Sequence, residues 1–206
     1  NALFSNNTAT NGSAGAILAS GSSLELVNVN FSNNTADGNG GAISTTAASS
    51  SIVASDSDIG FYNNSVTGEG YGGAIYSKDN TLTIDGDSYK VVFDQNSVKA
   101  DGGAIYLDGN ADAQLINNVE FTSNTADNNA GALYIGSNAG ATITNALFSE
   151  NKAGNADDEE HIIIGNGGAV STAGELSVTN ALFTGNTTTG SAGAILASGS
   201  LSLYDV

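Results

Sequence analysis

The stretch Phe31-Ser32-Asn33-Asn34, followed by Gly40-Gly41-Ala42-Ile43, decides how the chain is read. Phe-x-x-Asn returns at Phe4–Asn7, Phe61–Asn64, Phe93–Asn96, Phe121–Asn124, Phe148–Asn151 and Phe183–Asn186, seven copies in all. The Gly-Gly-Ala-aliphatic unit alternates strictly with it, at Ala14–Ile17, Gly72–Ile75, Gly102–Ile105, Ala130–Leu133, Gly167–Val170 and Ala192–Ile195, with Ala for the first Gly in three copies. Successive Phe residues are 27, 30, 32, 28, 27 and 35 positions apart. Such periods mark a stacked repeat architecture rather than a folded globule.

A third, weaker element precedes each following Phe, for example Leu24-Glu25-Leu26, Leu82-Thr83-Ile84 and Leu176-Ser177-Val178. Its alternation of apolar and polar residues is the period-2 pattern of a strand with one buried face. No stretch carries a helical apolar stripe, the leucine-rich pattern is absent, and the repeats are too short for propeller blades. The expectation is an all-β, right-handed parallel β-helix of about seven coils of 27–32 residues, with three short strands per coil. Coils stacked at about 4.8 Å give a rod roughly 34 Å long. Each Phe is expected inside, ring on ring. Asn7, Asn34, Asn64, Asn96, Asn124, Asn151 and Asn186 are expected to form an inward ladder, adopting left-handed backbone angles and bonding to the coils above and below. Gly and Ala suit a tight corner.

Composition narrows the function classes. The 206 residues hold 21 carboxylates against four lysines and no arginine, a net charge of −17, with no Cys, Pro, Met or Trp. Such a surface repels nucleic acid and anionic lipid. Lack of cysteine removes disulfides and thiolate metal sites. No apolar run reaches the roughly 18 residues of a membrane-spanning helix. Asn1–Gly21 is nearly repeated by Asn180–Gly199, so residues 1–206 read as one fragment of a longer block-repeat rod that continues into further coils of the same polypeptide.

On a repeat scaffold, function belongs to the outward faces and irregular turns. Tyr76, Tyr106 and Tyr134 each follow the inward aliphatic residue of the Gly-Ala motif, so alternation turns them outward on three successive coils as an aromatic strip for a sugar or a protein. An irregular acidic insertion at 155–164 raises the number of residues between Phe and the motif's aliphatic residue to 21, from the usual 11 to 13. It carries Asp157, Asp158, Glu159, Glu160 and His161, a protruding loop for a partner or for a divalent cation such as calcium, or a solvated acidic bulge. Ile162–Ile164 then add a strand or cover a neighbouring coil. Asp56, Asp58, Asp85, Asp87, Asp108 and Asp112 match no calcium-loop spacing and read as turn formers.

Alternating FxxN and GGA[ILV] repeats, spanning Phe4 to Ile195, resemble the chlamydial polymorphic membrane proteins and related autotransporter passengers of Gram-negative bacteria. The resemblance implies a right-handed β-helix carried to the outer membrane and cell surface by a C-terminal β-barrel, commonly as a non-enzymatic adhesin that meets a protein or glycan on a host or neighbouring cell. The signal and anchor of such a protein are not in these residues. Absence of cysteine suits a passenger that crosses the periplasm unfolded. Two other readings are weighed against it. A β-helical polysaccharide lyase or glycoside hydrolase would need a basic residue near bound substrate or a suitably spaced carboxylate pair. A self-assembling filament or ice-binding coil would need a flat hydroxyl array, and Thr8, Thr35, Thr125 and Thr187 form part of one, interrupted by Ser65, Ser97 and Lys152.

Overall fold

The computed structural model describes residues 1–155 and 162–206. The chain winds as a parallel β-solenoid of about seven turns, the strands of the inner coils bonded to their equivalents one repeat earlier and later. Each coil is numbered here by its Phe, coil 1 from Phe4 and coil 7 from Phe183. In coil 3 the strands are Ile59–Tyr62, Ser65–Val66, Ile75–Lys78 and Thr81–Asp85. Coil 3 thus has four strands where three were expected, whereas coils 1 and 2 have three, because their last two sides run together as one strand, Ile17–Val27 and Ile43–Val53. The additional one is the pair of residues after the ladder Asn, too short to show any alternation. Across the coils these pairs make a seven-stranded sheet of their own, while the other three sides join into one wrapping sheet of 16 strands. In several coils the corner between sides is absorbed into one continuous strand, as in Ile43–Val53 and Asp112–Thr122.

The register is column on column. Phe4, Phe31, Phe61, Phe93, Phe121, Phe148 and Phe183 pair in turn. Their rings stack at 4.7–5.2 Å between centroids, within 3–10° of parallel. The five inner rings are fully buried. Burying each is worth about 1.5–3 kcal/mol, so this column is the main apolar prop of the rod. Ile43, Ile75, Ile105, Leu133 and Val170 line the opposite wall of the same core.

Beside the rings runs the asparagine ladder. Asn34, Asn64, Asn96, Asn124 and Asn151 are fully buried. In each rung one carboxamide oxygen accepts two bonds from the preceding coil. Asn96 Oδ1 takes them from Asn64 N and Nδ2, both at 3.0 Å. Asn96 Nδ2 in turn donates to Asn124 Oδ1 and to the Phe61 carbonyl, both at 2.9 Å. Every donor and acceptor is used, which is why so polar a side chain is tolerated in a dry core. The left-handed residue is not the ladder Asn, as the sequence suggests, but its predecessor: Asn6, Asn33, Asn63, Gln95, Ser123, Glu150 and Gly185 have φ of 52–64°. The reversal at that residue swings the following amide inward.

The two glycines of the Gly-Ala motif have different duties. The first has φ near +71° at Gly40 and Gly72, and where Ala replaces it, at Ala14, Ala130 and Ala192, φ stays at 59–63°. A non-glycine residue can hold that conformation at a cost of about 1–2 kcal/mol. The second has no such φ, but a Cβ on Gly103 would lie 1.9 Å from the Gly131 carbonyl oxygen. Here backbone touches backbone between coils, and all seven copies keep Gly.

Candidate functional site

Tyr76, Tyr106 and Tyr134 pair directly across coils 3, 4 and 5, next to the core residues Ile75, Ile105 and Leu133. The alternation turns the phenols to the outer side of the sheet. Tyr106 and Tyr134 stack at 4.7 Å and 12°, Tyr76 and Tyr106 at 5.8 Å and 21°. The column is bounded by small residues, Ser44 on coil 2 and Ser171 on coil 6. It is less open than alternation alone implies. Tyr76 is only 7% exposed, and its hydroxyl donates to Asp108. Tyr106 and Tyr134 are partly buried.

A fourth ring completes the cluster. Tyr71, 36% exposed, lies 4.5 Å from Tyr106 at an angle of 39°. It comes from the position just before the Gly-Ala motif, which reads Ser13, Asn39, Tyr71, Asp101, Asn129, Asn166 and Ser191 along the rod. That column is a second polar ladder. Asp101 Oδ1 accepts from Asn129 N at 2.8 Å and Nδ2 at 2.9 Å, and Asn129 Oδ1 accepts both equivalents from Asn166 at 3.1 Å. The sequence signal was a run of short polar residues broken by one Tyr and one Asp.

Electrostatics keep the phenols neutral. Burial first, then the Asp108 hydrogen bond and charge, push Tyr76 upward. Burial, then neighbouring Tyr134 and Asp101, do the same for Tyr106, and burial with Asp101 for Tyr134. Burial also raises Asp101 against the lowering effect of its Asn129 bonds. Asp108 is pushed up by burial but held below its ordinary value by Tyr76, the Gly109 amide and Lys78 together. Lys78 Nζ lies 3.4 Å from Asp108 Oδ2. The result is a band of stacked rings carrying uncharged hydroxyls, edged by carboxylates. Such a band suits hydrogen-bonded apolar contact rather than acid-base or nucleophilic work.

The acidic insertion is anchored at its ends. Asn155 and Ile163 exchange backbone bonds of 2.8 and 3.1 Å in an antiparallel bridge. Gly165 N donates to Thr189 Oγ1 at 2.9 Å. Ile162 and Ile164 are 60% and 67% exposed, and the Ile164 side chain lies beside Gly190 of the next coil. Asp157, Asp158, Glu159, Glu160 and His161 lie outside the described residues. Several of the scattered aspartates are turn fasteners. Asp56 Oδ2 accepts from Asn28 Nδ2 at 3.0 Å, and Asp85 Oδ1 from the Asp87 amide at 2.8 Å. Among the described residues no three His, Cys, Asp or Glu converge as metal ligands.

A further outer ladder escaped sequence reading. Asn180 Nδ2 donates to Asn145 Oδ1, Asn145 Nδ2 to Asn117 Oδ1 and Asn117 Nδ2 to Asp85 Oδ1. Asn117, Asn145 and Asn180 all have φ near +50° and turn the chain into the Phe strand. Asn145 and Asn180, each three residues before Phe, and the Asn117-Asn118 pair before Phe121 were the available signal.

With this geometry in place, the comparisons with known proteins agree on one family. The Chlamydia polymorphic membrane protein repeat matches residues 28–46, 61–78, 90–108 and 180–198. A probable outer membrane protein, PmpA, of Chlamydia muridarum (strain MoPn / Nigg) is 36% identical over 119 residues. The match covers 50% of this chain and 12% of that protein, so the chain corresponds to a small part of its relative. No solved structure matches the chain. The four matched segments each run across a Phe strand or a Gly-Ala corner, the places where the rings, the Asn ladder and the glycine contacts repeat. This chain is a parallel β-solenoid, four stretches of which are similar to the polymorphic membrane protein repeat.

Proposed function

We propose that the chain is part of the β-helical passenger of a bacterial autotransporter, a non-enzymatic rod displayed from the outer membrane that adheres through its outward columns. The observation that carries the reading is the division of labour between columns. The residues that recur, Phe, ladder Asn and the second Gly, are consumed in ring stacking, internal hydrogen bonds and backbone contact. The outward positions between them vary from coil to coil, and on coils 3 to 5 they assemble Tyr71, Tyr106 and Tyr134 into one aromatic patch. Stacked rings with neutral hydroxyls fit a glycan or a protein of a host or neighbouring cell. Similarity to a probable outer membrane protein supports display at the cell surface.

The test is display. The chain is fused to an outer-membrane β-barrel in a laboratory Gram-negative host, and the bacteria are scored for protease-sensitive surface exposure and for attachment to cultured epithelial cells. Surface exposure with attachment above the empty barrel is the expected result. Exposure without attachment removes the adhesive role, and failure to reach the surface removes the passenger role.

A further inference from the structure

Away from the tyrosines, on the side formed by the strand before each Phe, one outward column reads Ser49, Thr81, Asp112, Gly140, Glu175 along coils 2 to 6. Gly140 opens the strand Gly140–Ser149 and is the one member of this column without a side chain. Neither usual structural reason applies to it. Its φ is not in the left-handed region. A Cβ there would meet only the Asp112 Oδ1 atom at 2.9 Å, at the end of a movable side chain, with the next neighbours on Glu175 at 3.8 Å or beyond. The contrast with Gly131, whose Cβ would lie 2.3 Å from a backbone carbonyl oxygen, is plain. Gly60, another outward glycine in a strand, has its space filled by the ring of Tyr62.

At Gly140 the space holds only the movable Asp112 carboxylate and opens outward past it. It forms a cavity of about 460 Å³, walled by Asp112 and Glu175, with Thr142, Ser177 and Ser202 beside it. That volume falls within the roughly 300–1,000 Å³ of small-ligand sites. We propose that this cavity is a saccharide subsite, with Gly140 kept small so that a sugar ring lies against bare strand backbone. Sugar hydroxyls donate to the two flanking carboxylates and exchange bonds with the three side-chain hydroxyls. Two carboxylates on a chain of net charge −17 select a neutral or amino sugar and repel an anionic one. The proposal deepens the adhesive reading and rests on it only for the source of the saccharide.

The experiment is saturation-transfer NMR on the 206-residue chain with galactose, glucose, N-acetylglucosamine and, as the anionic comparison, N-acetylneuraminic acid, followed by calorimetric titration of any sugar that responds. Gly140→Thr refills the notch with the residue that stands at Thr81 of the same column, and melting of that variant should equal or exceed wild type. The expected result is transfer to at least one neutral sugar, weakened roughly tenfold or more by Gly140→Thr and by Glu175→Gln. Transfer that survives Gly140→Thr, preference for the anionic sugar, no transfer from any sugar, or calcium binding in place of sugar each overturns the proposal. Sugar binding without cell attachment leaves the subsite standing and removes the adhesin. Attachment without sugar binding does the reverse.

Discussion

Replacing Asn96 by Ala removes one rung from the middle of the internal ladder, and the cost can be worked from its bonds. Four go: Nδ2 to Asn124 Oδ1, Nδ2 to the Phe61 carbonyl, and the two that Asn64 N and Nδ2 donate to Oδ1. At a net ~0.5–1.5 kcal/mol each, the sum is ~2–6 kcal/mol. Asn64 N, fully inside the coil, is left without its acceptor, and a buried orphan carries its whole desolvation cost. The expected loss therefore sits in the upper half, about 4–5 kcal/mol. Urea unfolding followed by far-ultraviolet circular dichroism measures it, with exposed Gln95→Ala as the neighbouring control at under about 1 kcal/mol. A loss at Asn96 as small as the control's would refute the ladder as a source of stability and leave the Phe column to hold the rod alone.

The two glycines of one corner should separate cleanly. Gly102→Ala, at φ 74°, brings a Cβ to 2.5 Å from the Ile105 carbonyl oxygen within its own turn, and because three natural coils hold Ala there it should cost only about 1–2 kcal/mol as that turn relaxes. Gly103→Ala drives a methyl into the Gly131 carbonyl and should cost more than about 3 kcal/mol or block folding, as read by melting and soluble yield. Asp101 gives a pH signature. Its folded-state pKa is raised, so its contribution to stability is present under acid conditions and is lost as pH climbs through that raised value. Asp101→Asn keeps the acceptor that Asn129 needs and matches the Asn of neighbouring rungs. It should raise the melting temperature near pH 7 and leave it little changed near about pH 3. A fall near pH 7 would mean that the charge itself holds the turn.

Much of the fold is legible in the sequence because the solenoid repeats its instructions. Seven copies of Phe and ladder Asn expose a period that a single copy hides, and Tyr76, Tyr106 and Tyr134 fall into line once the period is set. What escaped has a physical reason in each case. Thr35–Ala36 and its equivalents are two-residue strands, below the length at which alternation can be seen. The left-handed angle sits one residue before the ladder Asn because the reversal must precede the inward side chain, and Asn, Gln, Ser, Glu and Gly all tolerate it there. Tyr71 joins the site through its stacking on Tyr106 of the next coil, a contact that no spacing within one repeat encodes. The depth of Tyr76 depends on its bond to Asp108, again on the following coil. Gly140 reads as an ordinary small residue until its neighbours in the column are known.

The central claim is that interior columns build the rod and outward columns do the binding. Its most direct test is attachment of the purified chain to epithelial cells, by flow cytometry, with Tyr76, Tyr106 and Tyr134 all replaced by Ser and Tyr71 replaced alongside them. The account predicts an unchanged circular dichroism spectrum and attachment reduced severalfold, with any remainder lost when Gly140→Thr is added. Attachment at the wild-type level with the spectrum intact would contradict it.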